Sequence, residues 1–175
     1  RHPAPLDDAR RAMRMIRERV PKLGIDPARV GVMGFSAGGH LASTLSTQFQ
    51  PGERPDFAVL CYPVISFTTR YAHSGSMRNL LGAPPDPALA WDLSNELKVT
   101  AETPPTFLFH TNADTGVPPE NSILYYMALR RVGVPAEMHI YQEGRHGVGL
   151  AQNDPVLSTW PERLKDWLKV RGFVR

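Results

Sequence analysis

The chain has 175 residues, enough for one domain with a buried core, and its 42% hydrophobic and 21% charged content is that of an ordinary globular protein. A formal charge of +3, with arginines scattered along amphipathic segments rather than clustered, argues against a nucleic-acid partner. No apolar run approaches a membrane span, and Cys61, the single cysteine, lies in an apolar run where it cannot form an internal disulfide and reads as a core residue.

No signal peptide is recognisable, and the opening Arg1-His2-Pro3 without methionine reads as a chain whose upstream residues were removed or never included. Residues 6–20 place Ala9, Ala12, Met13, Ile16 and Val20 at helical spacing, with Asp7 and Asp8 in the first turn, where carboxylates suit the helix dipole. Pro21 and Gly24 predict its end. Val30-Gly31-Val32-Met33 is a continuous apolar run, as in a strand covered on both faces, and a helix from about Ala37 to Phe49 follows. Phe57 to Tyr62 predicts a second buried strand, stopped by Pro63.

Residues 66–103 are rich in Ser, Thr, Pro, Asn and Gly and carry only short helical pieces such as Met77 to Leu81. A long segment of that kind between strands shapes a binding site or a lid. Thr106 to His110 predicts the third strand, and a helix over about Pro119 to Val132 ends at Gly133. Ala136 to Tyr141 alternates, which places a fourth strand nearer an edge. The last helix begins near Trp160. Thr159 and Glu162 stand at capping-box spacing, and Trp160, Leu164, Trp167 and Leu168 form an apolar stripe. Strands alternating with helices predict an α/β fold, a parallel sheet with helices on both faces, in one domain over residues 1–175.

Gly34-Phe35-Ser36-Ala37-Gly38 reads G-x-S-x-G between the first strand and its helix. A serine on so sharp a turn is forced outward, and glycines at 34 and 38 are expected to leave room for the strained backbone and close packing. Its hydroxyl is a weak nucleophile until a base takes the proton, and that base needs an acceptor to fix its tautomer. Asp114 lies just past the third strand and His146 just past the fourth, so both are expected at the carboxyl ends of strands, where open α/β sheets place their sites. The order Ser, Asp, His is that of α/β-hydrolases and differs from the chymotrypsin and subtilisin orders. The plain alternatives are a turn-capping role for Asp114 and a loop position for His146. The backbone N–H of Ala37 is the expected first oxyanion donor, and no glycine-rich loop before residue 31 offers a second. His40 reads as a helix residue packed under the turn, and His110 and His139 as satisfied strand histidines. No metal-ligand spacing and no phosphate loop occur, so no metal or cofactor is expected.

With these residues in hand, the chain resembles the α/β-hydrolase superfamily, and within it the bacterial acetylxylan and feruloyl esterases. The stretches that carry the resemblance are Arg1 to Ala9, Gly31 to Ala42, Pro104 to His110, Asp114 to Pro118 and Pro135 to Tyr141. It implies Ser36 as nucleophile, Asp114 as orienting acid and His146 as base, acting without cofactor on acetyl or other short acyl esters, often of sugars. The family is often secreted or periplasmic. The resemblance covers only the later half of the family's eight-stranded sheet; the N-terminal strands and the His-Gly-Gly oxyanion loop have no counterpart. The strand at Val30–Met33 is then expected to be an exposed apolar edge, so that either the native chain is longer or the edge is covered by self-association or by a partner supplying the first half. Two other readings stand beside the esterase: a prolyl-oligopeptidase-type peptidase with the same turn and triad order, and a catalytically weak half serving as an association unit.

Overall fold

The apolar runs that alternate with helix-forming sequence do assemble as a parallel sheet. In the computed structural model, which describes residues 1–174, four strands among the described residues pair in chain order: β1 (Val32–Phe35), β2 (Ala58–Cys61), β3 (Thr106–Thr111) and β4 (Ala136–Tyr141). The register sets Gly34 opposite Leu60, Leu60 opposite Leu108, and Phe109 opposite His139.

The period of two then sorts each strand's side chains between two faces. On one face Ala58, Leu60 and Leu108 pack against Ala42 of α2 (Ala37–Thr47) and against Tyr125, Ala128 and Leu129 of α5 (Glu120–Arg131). On the other, Val59, Cys61, Phe107 and Phe109 meet Trp160 and Trp167 of α6 (Trp160–Val170). Phe109 and Trp160 stack with centroids 4.8 Å apart and planes at 11°. Helices therefore lie on both faces.

The first helix, α1 (Ala4–Leu23), lays Leu6, Met13 and Val20 on Leu45 of α2 and on Val30. Its polar side is tied down as well. Buried Glu53 receives Arg10 and Arg14, and Arg17 pairs with Asp56 at 2.9 Å. Pro21 does not end this helix. It removes one donor in the last turn, and the helix runs on to Gly24, whose φ of 65° closes it with an N–H to Val20 O.

Three other points differ from the sequence reading. β1 starts two residues late because the Val30 N–H is taken by the Asp56 carboxylate at 2.7 Å, and pairing with the second strand begins at Val32. It is also covered on one face only: Met33 and Phe35 remain 46% and 37% exposed at the edge of the sheet. The Thr159–Glu162 capping box does not form. A 3-10 turn at Leu157–Thr159 leads straight into α6, so Thr159 is already helical and its hydroxyl donates to Val156 O at 2.6 Å.

Residues 66–103 hold α3 (Ser74–Leu81), α4 (Pro87–Asp92) and a 3-10 turn at Asn95–Leu97. Two buried amides dock this segment. Asn121 Oδ1 accepts from Ile65 N and Ser66 N (2.9 and 3.1 Å), while its Nδ2 donates to Tyr71 O and Pro118 O (3.0 and 3.1 Å). Asn95 Nδ2 lies 3.1 Å from His40 O and 2.7 Å from Ser43 Oγ on α2.

Candidate active site

Ser36 sits at the junction of β1 and α2 with φ 54° and ψ −119°, a left-handed conformation that a non-glycine residue keeps only when its surroundings enforce it. Three backbone bonds do so: Ser36 N donates to Cys61 O (3.0 Å), and Ser36 O accepts from Val64 N and His40 N (3.1 Å each). The tightness of the turn explains Gly34, where a Cβ would lie 2.1 Å from Gly38 O. Gly38 is different from its sequence reading, since a Cβ there meets nothing within 4 Å. The second close-packed glycine is Gly39, whose Cβ would stand 2.7 Å from Pro63 Cβ.

Asp114 and His146 leave the carboxyl ends of β3 and β4 and reach the same spot. His146 Nε2 lies 2.7 Å from Ser36 Oγ, and His146 Nδ1 lies 2.6 Å from Asp114 Oδ2. With Nδ1 protonated toward the carboxylate, the Nε2 lone pair faces the serine hydroxyl. Asp114 is buried, and its Oδ1 accepts from Gly116 N and Val117 N at 2.9 Å each. Burial alone would raise this carboxyl. Hydrogen bonds from His110, His146 and the Val117 N–H outweigh burial and hold it down at about 2. The site therefore presents a fixed negative charge behind an imidazole that touches a hydroxyl.

Ala37, adjacent to the serine, is the first residue of α2, so its N–H has no helical carbonyl to serve. A cavity of about 390 Å³ opens beside it, lined by Leu6, Ala37, Leu41, Phe67, Leu80 and Leu93 among others. The segment 66–103 thus supplies one wall of the space next to the nucleophile turn.

The remaining histidines separate clearly. His40 is buried, with Nε2 2.8 Å from Leu93 O and its ring 4.6 Å from Phe67; burial lowers it to about 4, so it is a neutral link between α2 and the 66–103 segment. His139 lies 2.8 Å from Glu137 on its own strand. His110 is structural in its bonds, with Nδ1 2.8 Å from Ser122 Oγ and Nε2 2.9 Å from Val117 O, but it also stands 3.4 Å from Asp114 Oδ2. Its place four residues before Asp114, at the end of β3, was the signal for that second contact. Asp7 and Asp8 are exposed on α1. Among the described residues no group of three or more His, Cys, Asp or Glu side chains could hold a metal ion, and no helix is long and apolar enough to cross a membrane.

The profile of the Prolyl oligopeptidase family matches residues 5–170. The chain belongs to that family. Among family relatives it is 38% identical over 169 residues to an acetylxylan esterase of Xylanibacter ruminicola, covering 94% of this chain and 35% of that protein. It is 39% identical over 170 residues to endo-1,4-beta-xylanase B of Butyrivibrio fibrisolvens, covering 91% and 26%. An acetyl ester-xyloside bifunctional hydrolase from Caldicellulosiruptor lactoaceticus superposes with TM-score 0.95 at 50% identity, over 100% of this chain and 68% of that one. The parallel sheet described above is thus an α/β-hydrolase sheet, and this prolyl oligopeptidase family member spans about a quarter to a third of the length of these two curated relatives.

Proposed function

We propose that the chain carries the catalytic machinery of a serine hydrolase that cleaves short acyl esters, with acetylated carbohydrate as the substrate class, through an acyl-enzyme. The observation that carries this reading is the unbroken row from Ser36 Oγ to His146 to Asp114, at 2.7 and 2.6 Å. In the first step His146 Nε2 takes the Ser36 proton while Oγ bonds to the ester carbonyl carbon, and negative charge moves to the carbonyl oxygen beside the Ala37 N–H. The C–O bond to the alcohol then breaks, and the imidazolium returns its proton to the leaving oxygen. Water, deprotonated by the same imidazole, releases the acid and restores Ser36. Asp114, held ionised at neutral pH, supports the imidazolium formed in both steps. The cavity beside Ala37 would take one arm of the ester, and the segment 66–103 would set its shape.

The names of the relatives, an acetylxylan esterase and an acetyl ester-xyloside hydrolase, support an ester and a sugar alcohol. The family match itself favours one second reading, a peptidase of the prolyl oligopeptidase type. Measuring turnover of p-nitrophenyl acetate and acetylated xylo-oligosaccharide against a prolyl-peptide amide separates the two. Ester cleavage that disappears in Ser36→Ala is the expected result; amide cleavage without ester cleavage would favour the peptidase.

The exposed edge of β1, with Met33 and Phe35 in the open, is proposed to be covered by a second copy of this chain. Light scattering should then give twice the chain mass; a stable monomer would contradict it.

A further inference from the structure

A second left-handed residue stands beside the nucleophile turn. Tyr62, immediately after β2, has φ 37°, which a non-glycine residue adopts only under constraint. Its own N–H donates to Phe109 O of β3 at 2.6 Å. Cys61 just before it and Val64 two residues after it bracket Ser36, with Cys61 O accepting from Ser36 N and Val64 N donating to Ser36 O. The constrained turn carries the Tyr62 side chain across the carboxyl end of the sheet to the loop that follows β4. There its ring lies edge-on to the His146 imidazole, with centroids 5.2 Å apart and planes at 74°. Its phenol oxygen accepts from Gly149 N at 3.1 Å.

That loop needs outside support. Gly144, Gly147, Gly149 and Ala151 all have positive φ (129°, 78°, 59° and 49°), and no helix or strand covers residues 142–156. Thr111 Oγ1 holds Gly144 O at 2.8 Å, and Trp160 Nε1 holds Gly149 O at 3.0 Å. These two contacts fix backbone carbonyls, whereas Tyr62 reaches both the Gly149 amide and the imidazole itself.

We infer that Tyr62 is a positioning residue for His146: its ring sets the plane of the imidazole and its hydroxyl pins the Gly149 end of the loop, so that Nε2 stays on Ser36 Oγ. The inference rests on the hydrolase reading of Ser36 and His146. It is the hydroxyl that distinguishes this role from ordinary aromatic packing, because a phenylalanine fills the same space without accepting from Gly149.

The test uses the 175-residue chain with Tyr62→Phe and Tyr62→Leu. Three quantities are read for each: the rate of Ser36 labelling by a fluorophosphonate, kcat and KM for p-nitrophenyl acetate, and hydrogen exchange at the Gly149 amide. Tyr62→Phe should speed Gly149 exchange about tenfold and lower kcat and labelling about three- to tenfold with KM within about twofold, the scale of one lost hydrogen bond. Tyr62→Leu should lower kcat about tenfold further. If Tyr62→Leu fails to fold, the Tyr62→Phe measurements decide alone. Faster exchange at Gly149 with labelling and kcat unchanged would overturn the inference and leave Tyr62 as packing only. A wild-type chain inert to both the fluorophosphonate and the ester would instead remove the hydrolase reading, and this inference with it.

Discussion

Asp114→Asn separates the charge of this residue from its shape. The amide oxygen can still accept from Gly116 N and Val117 N, so the loop after β3 keeps its two backbone anchors. The negative charge facing His146 Nδ1 at 2.6 Å is lost. An asparagine NH₂ turned toward Nδ1 favours the opposite tautomer, which points N–H at Ser36 Oγ and leaves nothing to take the serine proton. The expected fall in kcat is about 10⁴-fold, the scale known for this change in a serine protease triad. A stability cost accompanies it. Holding a buried carboxyl at about 2 instead of 3.8 corresponds to about 2 kcal/mol of native stability at neutral pH. Because the folded-state value is the lower one, that contribution is complete above about pH 4 and is lost as pH falls through about 2. Urea unfolding of wild type and Asp114→Asn should therefore differ by about 2 kcal/mol at pH 7 and converge toward pH 2, while p-nitrophenyl acetate turnover gives kcat. A kcat within tenfold of wild type would refute the proposed role of the carboxylate. A stability gap unchanged between pH 7 and pH 2 would refute the charge argument.

Gly34→Ala and Gly38→Ala should behave oppositely. The first forces a Cβ to within 2.1 Å of Gly38 O and should cost about 2–3 kcal/mol or more, whereas the second meets nothing within 4 Å and should leave urea stability equal or slightly higher. Cys61, buried in β2 with its thiol pushed up to about 12, should resist a disulfide reagent at pH 8 until urea unfolds the chain; rapid native labelling would contradict its burial. Trp160→Ala removes the stack on Phe109 and the donor to Gly149 O, and should lower unfolding free energy by about 3–5 kcal/mol in the same assay.

Most of the architecture was legible because each buried strand is a short apolar run between helix-like segments. Val59, Leu60, Leu108 and Phe109 announce a doubly covered strand by themselves, and the parallel order follows from the intervening helices. Two element starts, those of β1 and α6, differ because structure outside the local pattern decides them. Asp56 captured the Val30 N–H from 26 residues away, and a preceding 3-10 turn made the Thr159 cap redundant. At the site, Ser36, Asp114 and His146 were legible through position, each falling just beyond a strand's carboxyl end. Tyr62 was not, since nothing in Cys61-Tyr62-Pro63 reveals a left-handed turn or a partner 87 residues downstream. The exchange of Gly38 for Gly39 as the packed glycine has the same origin: the neighbour that decides it, Pro63, belongs to another strand's end.

The most direct test of the account is to trap the covalent intermediate. The wild-type chain is mixed with p-nitrophenyl acetate, quenched in acid within the first turnover and digested, and the peptide that contains Ser36 is examined by mass spectrometry. One acetyl group on Ser36, absent from Ser36→Ala and strongly diminished in His146→Ala because the same imidazole activates the serine, is the expected result. Ester hydrolysis with no acetyl on Ser36, or with the same acetylation in Ser36→Ala, would contradict the claim that this hydroxyl is the nucleophile.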